Sequence, residues 1–201
     1  MFDDHIVDPL FRTENKKIAD EARKRFVREK GCCPCVATAI EELAGNYKFP
    51  KTGVMELQNS EQFPESPYAY VEFRPNPVMH FDRRLWRNMK AGQHDARFTG
   101  AHELGHVFLH KAFVQGFHGS PKAFAMAHGE DRSAENQANQ FAMFFLIRDE
   151  DILTRHSETE IAIDCGVPLE FVQQRITLFE LMNRIACAEW RSRSFELDGF
   201  I

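Results

Sequence analysis

The chain has 201 residues, 43% hydrophobic and 27% charged, with a formal net charge of −5. That length suits one domain or a domain with an appendage. The acidic balance excludes a general attraction to nucleic acid or anionic membrane, and the nineteen Phe read as an aromatic-rich core.

The start, Met1-Phe2-Asp3-Asp4-His5, lacks a basic stretch followed by an apolar one. The longest purely apolar run, Phe141 to Ile147, is too short to span a bilayer, so the expected location is the cytoplasm. From Asn15 to Lys30, Ile18, Ala22, Phe26 and Val27 recur at helical spacing among mixed charges, as in a surface amphipathic helix closed by Gly31. Pro34 fits the first turn of the next helix, whose stripe is Val36, Ala39, Ile40 and Leu43. Five Cys is an odd number. Cys165 and Cys187 are isolated in sequence, and Cys32, Cys33 and Cys35 lack a partner pair or a nearby His, so reduced thiols are expected rather than a disulfide framework or a thiolate metal site.

Between Thr52 and Asp82 short segments alternate with Pro, Asn and Ser. Val54 to Leu57, Tyr68 to Phe73 and Val78 to Phe81 read as strands of a small antiparallel sheet. Asp82 can cap a short helix that Gly92 closes, and Asp95 can cap the next, running from about Ala96 to Lys111. Residues 113 to 133 show no clear periodicity and read as an exposed loop, after which Ala134, Ala138, Phe141, Ala142 and Phe145 mark a helix from Ser133 to Arg148. Ser157 and Glu160 form a capping box. A short helix follows to Cys165-Gly166-Val167, then a longer one from Pro168 to about Cys187. This helical pair outlines a helix-turn-helix, but its five acids against Arg175 and Arg184 suit phosphate poorly, and a structural hairpin is expected.

The chemistry concentrates in His102-Glu103-Leu104-Gly105-His106. On a helix, imidazoles four residues apart stand one turn above each other, with Cβ atoms about 5–6 Å apart, so both can reach one zinc ion. The Glu between them is placed to take a proton from a water at the metal. A chance match to this short motif in a chain of this composition has a probability of roughly four per cent, so a helical setting and a third ligand matter. His110 extends the stripe but lies roughly 9 Å along the helix from the midpoint of the pair, and is expected to pack or hydrogen-bond behind the site. Leu109 and Ala112 exclude the longer H-E-x-x-H-x-x-G-x-x-H pattern. Glu135, with Asn139 one turn on, is the leading third ligand from spacing. His118, His128, Glu130 and Asp131 are rivals.

The run from Phe98-Thr99-Gly100-Ala101-His102 through Leu109-His110, followed by Glu135-Asn136-Gln137-Ala138-Asn139-Gln140-Phe141-Ala142, resembles the ImmA/IrrE family of gluzincin-like metallopeptidases over residues 15 to 186. The segment Ile161 to Pro168, continuing to Arg175-Ile176, is similar to the family's C-terminal helical piece. Phe145, Ile147 and Arg148 depart from it, standing where Leu, Met and Pro are common. The resemblance implies an α+β, zincin-like fold with two zinc-site helices. The expected division is a metallopeptidase domain over 1–152, including the N-terminal helices, and a C-terminal helical extension packed on it over 153–201. It also implies one catalytic Zn2+ held by His102, His106 and Glu135, with Glu103 as general base. The implied activity is limited cleavage of protein substrates, helix-turn-helix repressors foremost, in a stress response. For the oxyanion, Tyr70, His80, His118 and Arg132 all stay open. The alternatives are a non-enzymatic, zinc-containing regulatory module that binds another protein, and a DNA-binding tail.

Overall fold

Period-two alternation in the middle of the chain and helical periodicity on either side of it give a small sheet embraced by helices. The computed structural model describes residues 2–27, 33–45, 55–58, 69–74, 76–110, 115–119, 128–155 and 157–197. In chain order these form β1 (Phe2–Ile6), α1 (Arg12–Phe26), α2 (Val36–Gly45), β2 (Met55–Gln58), β3 (Ala69–Arg74), β4 (Asn76–Asp82), α3 (Arg83–Lys90), α4 (His94–Leu109) and β5 (Gln115–Gly119). A 3-10 turn (Glu130–Arg132) then leads to α5 (Ala134–Leu146), α6 (Asp149–Thr154), α7 (Glu158–Cys165) and α8 (Leu169–Leu197).

β3 and β4 form a tight antiparallel hairpin, Ala69 opposite Phe81 and Arg74 opposite Asn76. Ala69 and Val71 face the core while Tyr70 and Glu72 are half-buried, so the alternation seen in the sequence places the strand correctly. The sheet is nevertheless mixed, where an antiparallel one was expected. Its order is β2-β4-β3, and β4 inserts between its two neighbours. Having reversed direction against β3, it runs parallel to β2, with Met55 opposite Met79. A second difference lies within the segment expected to be an exposed loop. Residues Gln115–Gly119 pair antiparallel with β1, from Phe2 opposite Gly119 to Ile6 opposite Gln115.

Asp82 caps α3 as expected, accepting from the Arg84 amide, and Ser157 caps α7, accepting from the Glu160 amide; Ser133, which the sequence reading placed only at the helix start, also accepts from the Asn136 amide. Gly166 ends α7 at φ 59°, a left-handed conformation that glycine adopts without a Cβ penalty. Asp95 is not a cap. Gln93 occupies that position and Asp95 falls in the first turn of α4, where its charge still complements the helix dipole.

The helix at the centre is α5. Ala138, Phe141, Ala142, Phe145 and Leu146 are fully buried, and Phe144 nearly so; a helix this apolar around its circumference must be enclosed. α1 covers one side, with Asn15 Nδ2 donating to the Gln137 carbonyl at 2.8 Å and Arg23 donating to the Phe145 carbonyl at 2.6 Å. The second contact sets a cation on the C-terminal carbonyls that a helix leaves unpaired. α4 covers another side at close range. A Cβ added to Gly105 would stand 3.0 Å from Cα and the carbonyl oxygen of Ala138, so the motif's glycine lets the two backbones meet.

α8 docks through Phe171, stacked on Phe98 with centroids 3.4 Å apart, and through buried Val172. Arg175 is 1% exposed. It donates to the Ile147 carbonyl at 3.1 Å and pairs with Asp149. The helix extends to Leu197, beyond its expected end. No described helix is long and apolar enough to cross a membrane. The residues that depart from the family pattern lie in the core and at a helix start. Phe145 stacks on Phe141, Ile147 is buried, and Arg148 pairs with Asp151 at the head of α6.

Cys33, Cys35 and Cys165 are free thiols, but Cys165 is not isolated in space. Cys33 Sγ lies 3.1 Å from the Asp164 carbonyl oxygen. The neighbouring Cys165 draws Cys33 down to about 6, assisted by Arg23 and Arg97 against the opposing effect of burial, and Cys165 is itself pushed up. Cys32 and the Cys187 side chain lie outside the described residues.

Candidate metal centre

α4 presents His102 and His106 one turn apart, their ring centroids 4.7 Å from each other. Their Nε2 atoms converge to 3.0 Å. Glu135, in the first turn of α5, reaches both rings, with Oε2 at 3.2 Å from His102 Nε2 and Oε1 at 3.4 Å from His106 Nε2. One ligand atom from each residue lies within 4.8 Å of the others. Donors about 2.0–2.1 Å from a tetrahedral zinc ion stand about 3.3 Å apart, so two imidazole nitrogens and a carboxylate at these separations fit such an ion in chemistry and in spacing.

The electrostatics of the cluster are those of a cation site. Burial pushes His102 down, but its hydrogen bond to Glu135, the charges of Glu103 and Glu135 and the contact with Asn139 outweigh this and raise it to about 9. Burial pushes Glu135 up, and the neighbouring imidazoles, His102 first and then His106, overcome it, holding the carboxyl well below the usual carboxylate range. A proton on His102 therefore neutralises the Glu135 carboxylate.

Glu103 lies against the same cluster and is only 5% exposed. Burial raises its carboxyl above the ordinary value, opposed by His102 and His106 beside it. Its Oε2 has no hydrogen-bond partner among the described residues. A buried oxygen left unpaired costs about 1–3 kcal/mol, so the fold tolerates an acid here that its own packing does not satisfy.

Side chains behind the cluster hold it. Asn139 Oδ1 lies 2.9 Å from His102 Nδ1, and His110 Nδ1 lies 3.1 Å from His106 Nδ1. His110 therefore sits behind the site, as its distance along the helix suggested. Burial, and secondarily the neighbouring His106, lower it to about 4. Asp4 of β1 is almost wholly buried. It accepts from Ser133 Oγ at 2.5 Å and from the Glu135 amide at 3.2 Å, and so fixes the start of α5. Sequence reading missed Asp4 and Gln137: Asp4 acts across the whole domain, and Gln137 sits in a helix whose polar residues give no local sign of which way they point.

Of the rival ligands, Glu130 and Asp131 are exposed in the 3-10 turn, and Glu130 pairs loosely with Arg12 at 3.7 Å. The His118 side chain lies outside the described residues, and His128 does not join the cluster. Tyr70 stacks on His80 with centroids 4.4 Å apart, and His80 lies 3.5 Å from Glu72. Arg132 is exposed.

A family model described as the IrrE N-terminal-like domain of peptidase M78 matches residues 59–177. The match takes in both helices of the cluster and ends within α8. No curated protein matches the chain.

Proposed function

The chain belongs to the peptidase M78 family of IrrE N-terminal-like domains, and on that premise we propose that it is a zinc-dependent endopeptidase. In this reading His102, His106 and Glu135 hold the zinc. When bound there, the ion supplies Lewis acidity that brings the pKa of water toward neutrality and polarises a peptide carbonyl. Glu103 takes the proton of the attacking water as the new C–O bond forms, then delivers it to the amine as the C–N bond breaks. A raised carboxyl pKa suits this double duty, because a base must also give its proton back. The observation that carries the reading is the unpartnered, buried Glu103 Oε2 beside the three ligands. A purely structural zinc site in a protein-binding module has no use for it.

The proposed substrates are a limited set of proteins, helix-turn-helix repressors first, and the proposed setting is cytoplasmic. The C-terminal helices are proposed as an extension packed on the peptidase body rather than a DNA reader. Of the four arginines in α7 and α8, Arg175, Arg184, Arg191 and Arg193, Arg175 is buried and engaged with Ile147 and Asp149, which leaves it unable to meet phosphate. Glu103→Gln separates the enzyme from the non-enzymatic module. It should retain zinc and lose chelator-sensitive cleavage of a helix-turn-helix protein by several orders of magnitude. Wild-type cleavage by this variant would remove Glu103 from the chemistry.

A further inference from the structure

A line of hydrogen bonds behind His106 starts at the backbone and ends at the nitrogen facing Glu135. Gln137, 3% exposed, donates through Nε2 to the carbonyls of Asp8 at 2.9 Å and Asp131 at 2.6 Å. Only its Oε1 then faces His110 Nε2, at 3.0 Å. An amide oxygen can only accept, so His110 Nε2 carries a hydrogen. His110 is itself buried, where an imidazolium is costly, so its second nitrogen, Nδ1, is a bare lone pair. That lone pair lies 3.1 Å from His106 Nδ1, and the pair is a hydrogen bond only if His106 supplies the hydrogen.

His106 Nε2 is thereby left bare, 3.4 Å from Glu135 Oε1. Its partner is set independently, by the amide oxygen of Asn139 on His102 Nδ1. We propose that His110, oriented by Gln137, is a positioning residue that holds His106 in its Nδ1-protonated tautomer and so presents Nε2 as a metal donor. This deepens the metal-site reading and rests on it. Carboxylates, backbone carbonyls and waters commonly fill this role behind a ligating imidazole; here a second imidazole fills it. Without the His110 lone pair, His106 would divide between two tautomers, one of which points a hydrogen at the ion.

Ring-nitrogen NMR of the 15N-labelled wild-type protein, freed of metal, tests the assignment directly. The expected spectrum shows His106 protonated at Nδ1 and His110 at Nε2. His106 protonated at Nε2 would overturn the proposal, whether or not the protein binds zinc. Zinc affinity by chelator competition gives a second readout. His110→Leu should weaken binding about 10–100-fold, and His110→Asn, whose amide oxygen can stand near the lost Nδ1, should recover most of that. Wild-type affinity in a folded His110→Leu protein would count against the proposal. A wild-type protein with no tight zinc would instead defeat the metal-site reading, and the tautomer spectrum would still decide between the two.

Discussion

His102 and Glu135 bind each other through a proton in the metal-free protein, and that has a consequence for pH. The folded-state value of His102, about 9, lies above its ordinary 6.5. The stability it contributes is therefore full below pH 6.5 and is lost as pH rises through about 9. Cys33, lowered to about 6 from 9.0, has the opposite slope: its contribution is full above pH 9 and is lost as pH falls through about 6. In a Cys33→Ser, Cys165→Ser background the metal-free thermal midpoint should fall between pH 6.5 and 9, and a flat profile would contradict the His102 assignment. Because zinc must displace that proton, zinc affinity should rise across the same range, by about tenfold per pH unit below 9. Glu135→Ala removes a donor as well as the proton's partner, and should lose most of the metal at pH 7.5. Full occupancy in that variant, by elemental analysis, would place the third ligand elsewhere.

The two cluster helices are held at a fixed distance, and Gly105 sets it. A methyl there would meet the Ala138 backbone at 3.0 Å, and backbone cannot swing aside as a side chain can. Gly105→Ala should destabilise the fold by about 1–3 kcal/mol through overpacking and should weaken zinc binding by moving Glu135 away from the His pair; unchanged affinity would show that α5 tolerates the shift. α4 was legible in the sequence because its apolar stripe and the flanking turns fall at helical spacing, and α5 because Ala134, Ala138, Phe141 and Phe145 repeat in the same way. The β1–β5 pair was not. Its five-residue strand carries two glycines and no alternation, and its partner lies more than a hundred residues earlier, so nothing local reports the pairing. The parallel β2–β4 register was hidden for a related reason, since chain order does not reveal which strand inserts between two others. Within the cluster, the H-E-x-x-H spacing gave His102 and His106 directly. Glu135 needed the resemblance to separate it from Glu130 and His128, because a carboxylate at the head of one helix reaches the face of another only through tertiary packing.

At the scale of the whole molecule, the site ties distant stretches of the chain together. β1 delivers Asp4 to the start of α5, and the chain just after it stays on the 3-10 turn, with the Val7 amide donating to the Arg132 carbonyl and the Leu10 amide to the Asp131 carbonyl. Gln137 joins Asp8 and Asp131 to His110. A ligand that binds His102, His106 and Glu135 thus couples to α1, α4, α5 and the N-terminal strand together, and none of that arrangement survives unfolding. Zinc bound only to the native state should stabilise it by about 2.7–4.1 kcal/mol at free zinc between 100 and 1,000 times the dissociation constant. For a chain of this length that corresponds to a rise in Tm of roughly 5–16 °C. Calorimetry with zinc and with excess chelator should show this difference in the wild type and retain it in Glu103→Gln, which keeps every ligand. It should vanish in Glu135→Ala. A wild-type Tm indifferent to chelation would mean that the three side chains, close as they are, hold no metal, since binding to the native state alone cannot leave its melting point unmoved.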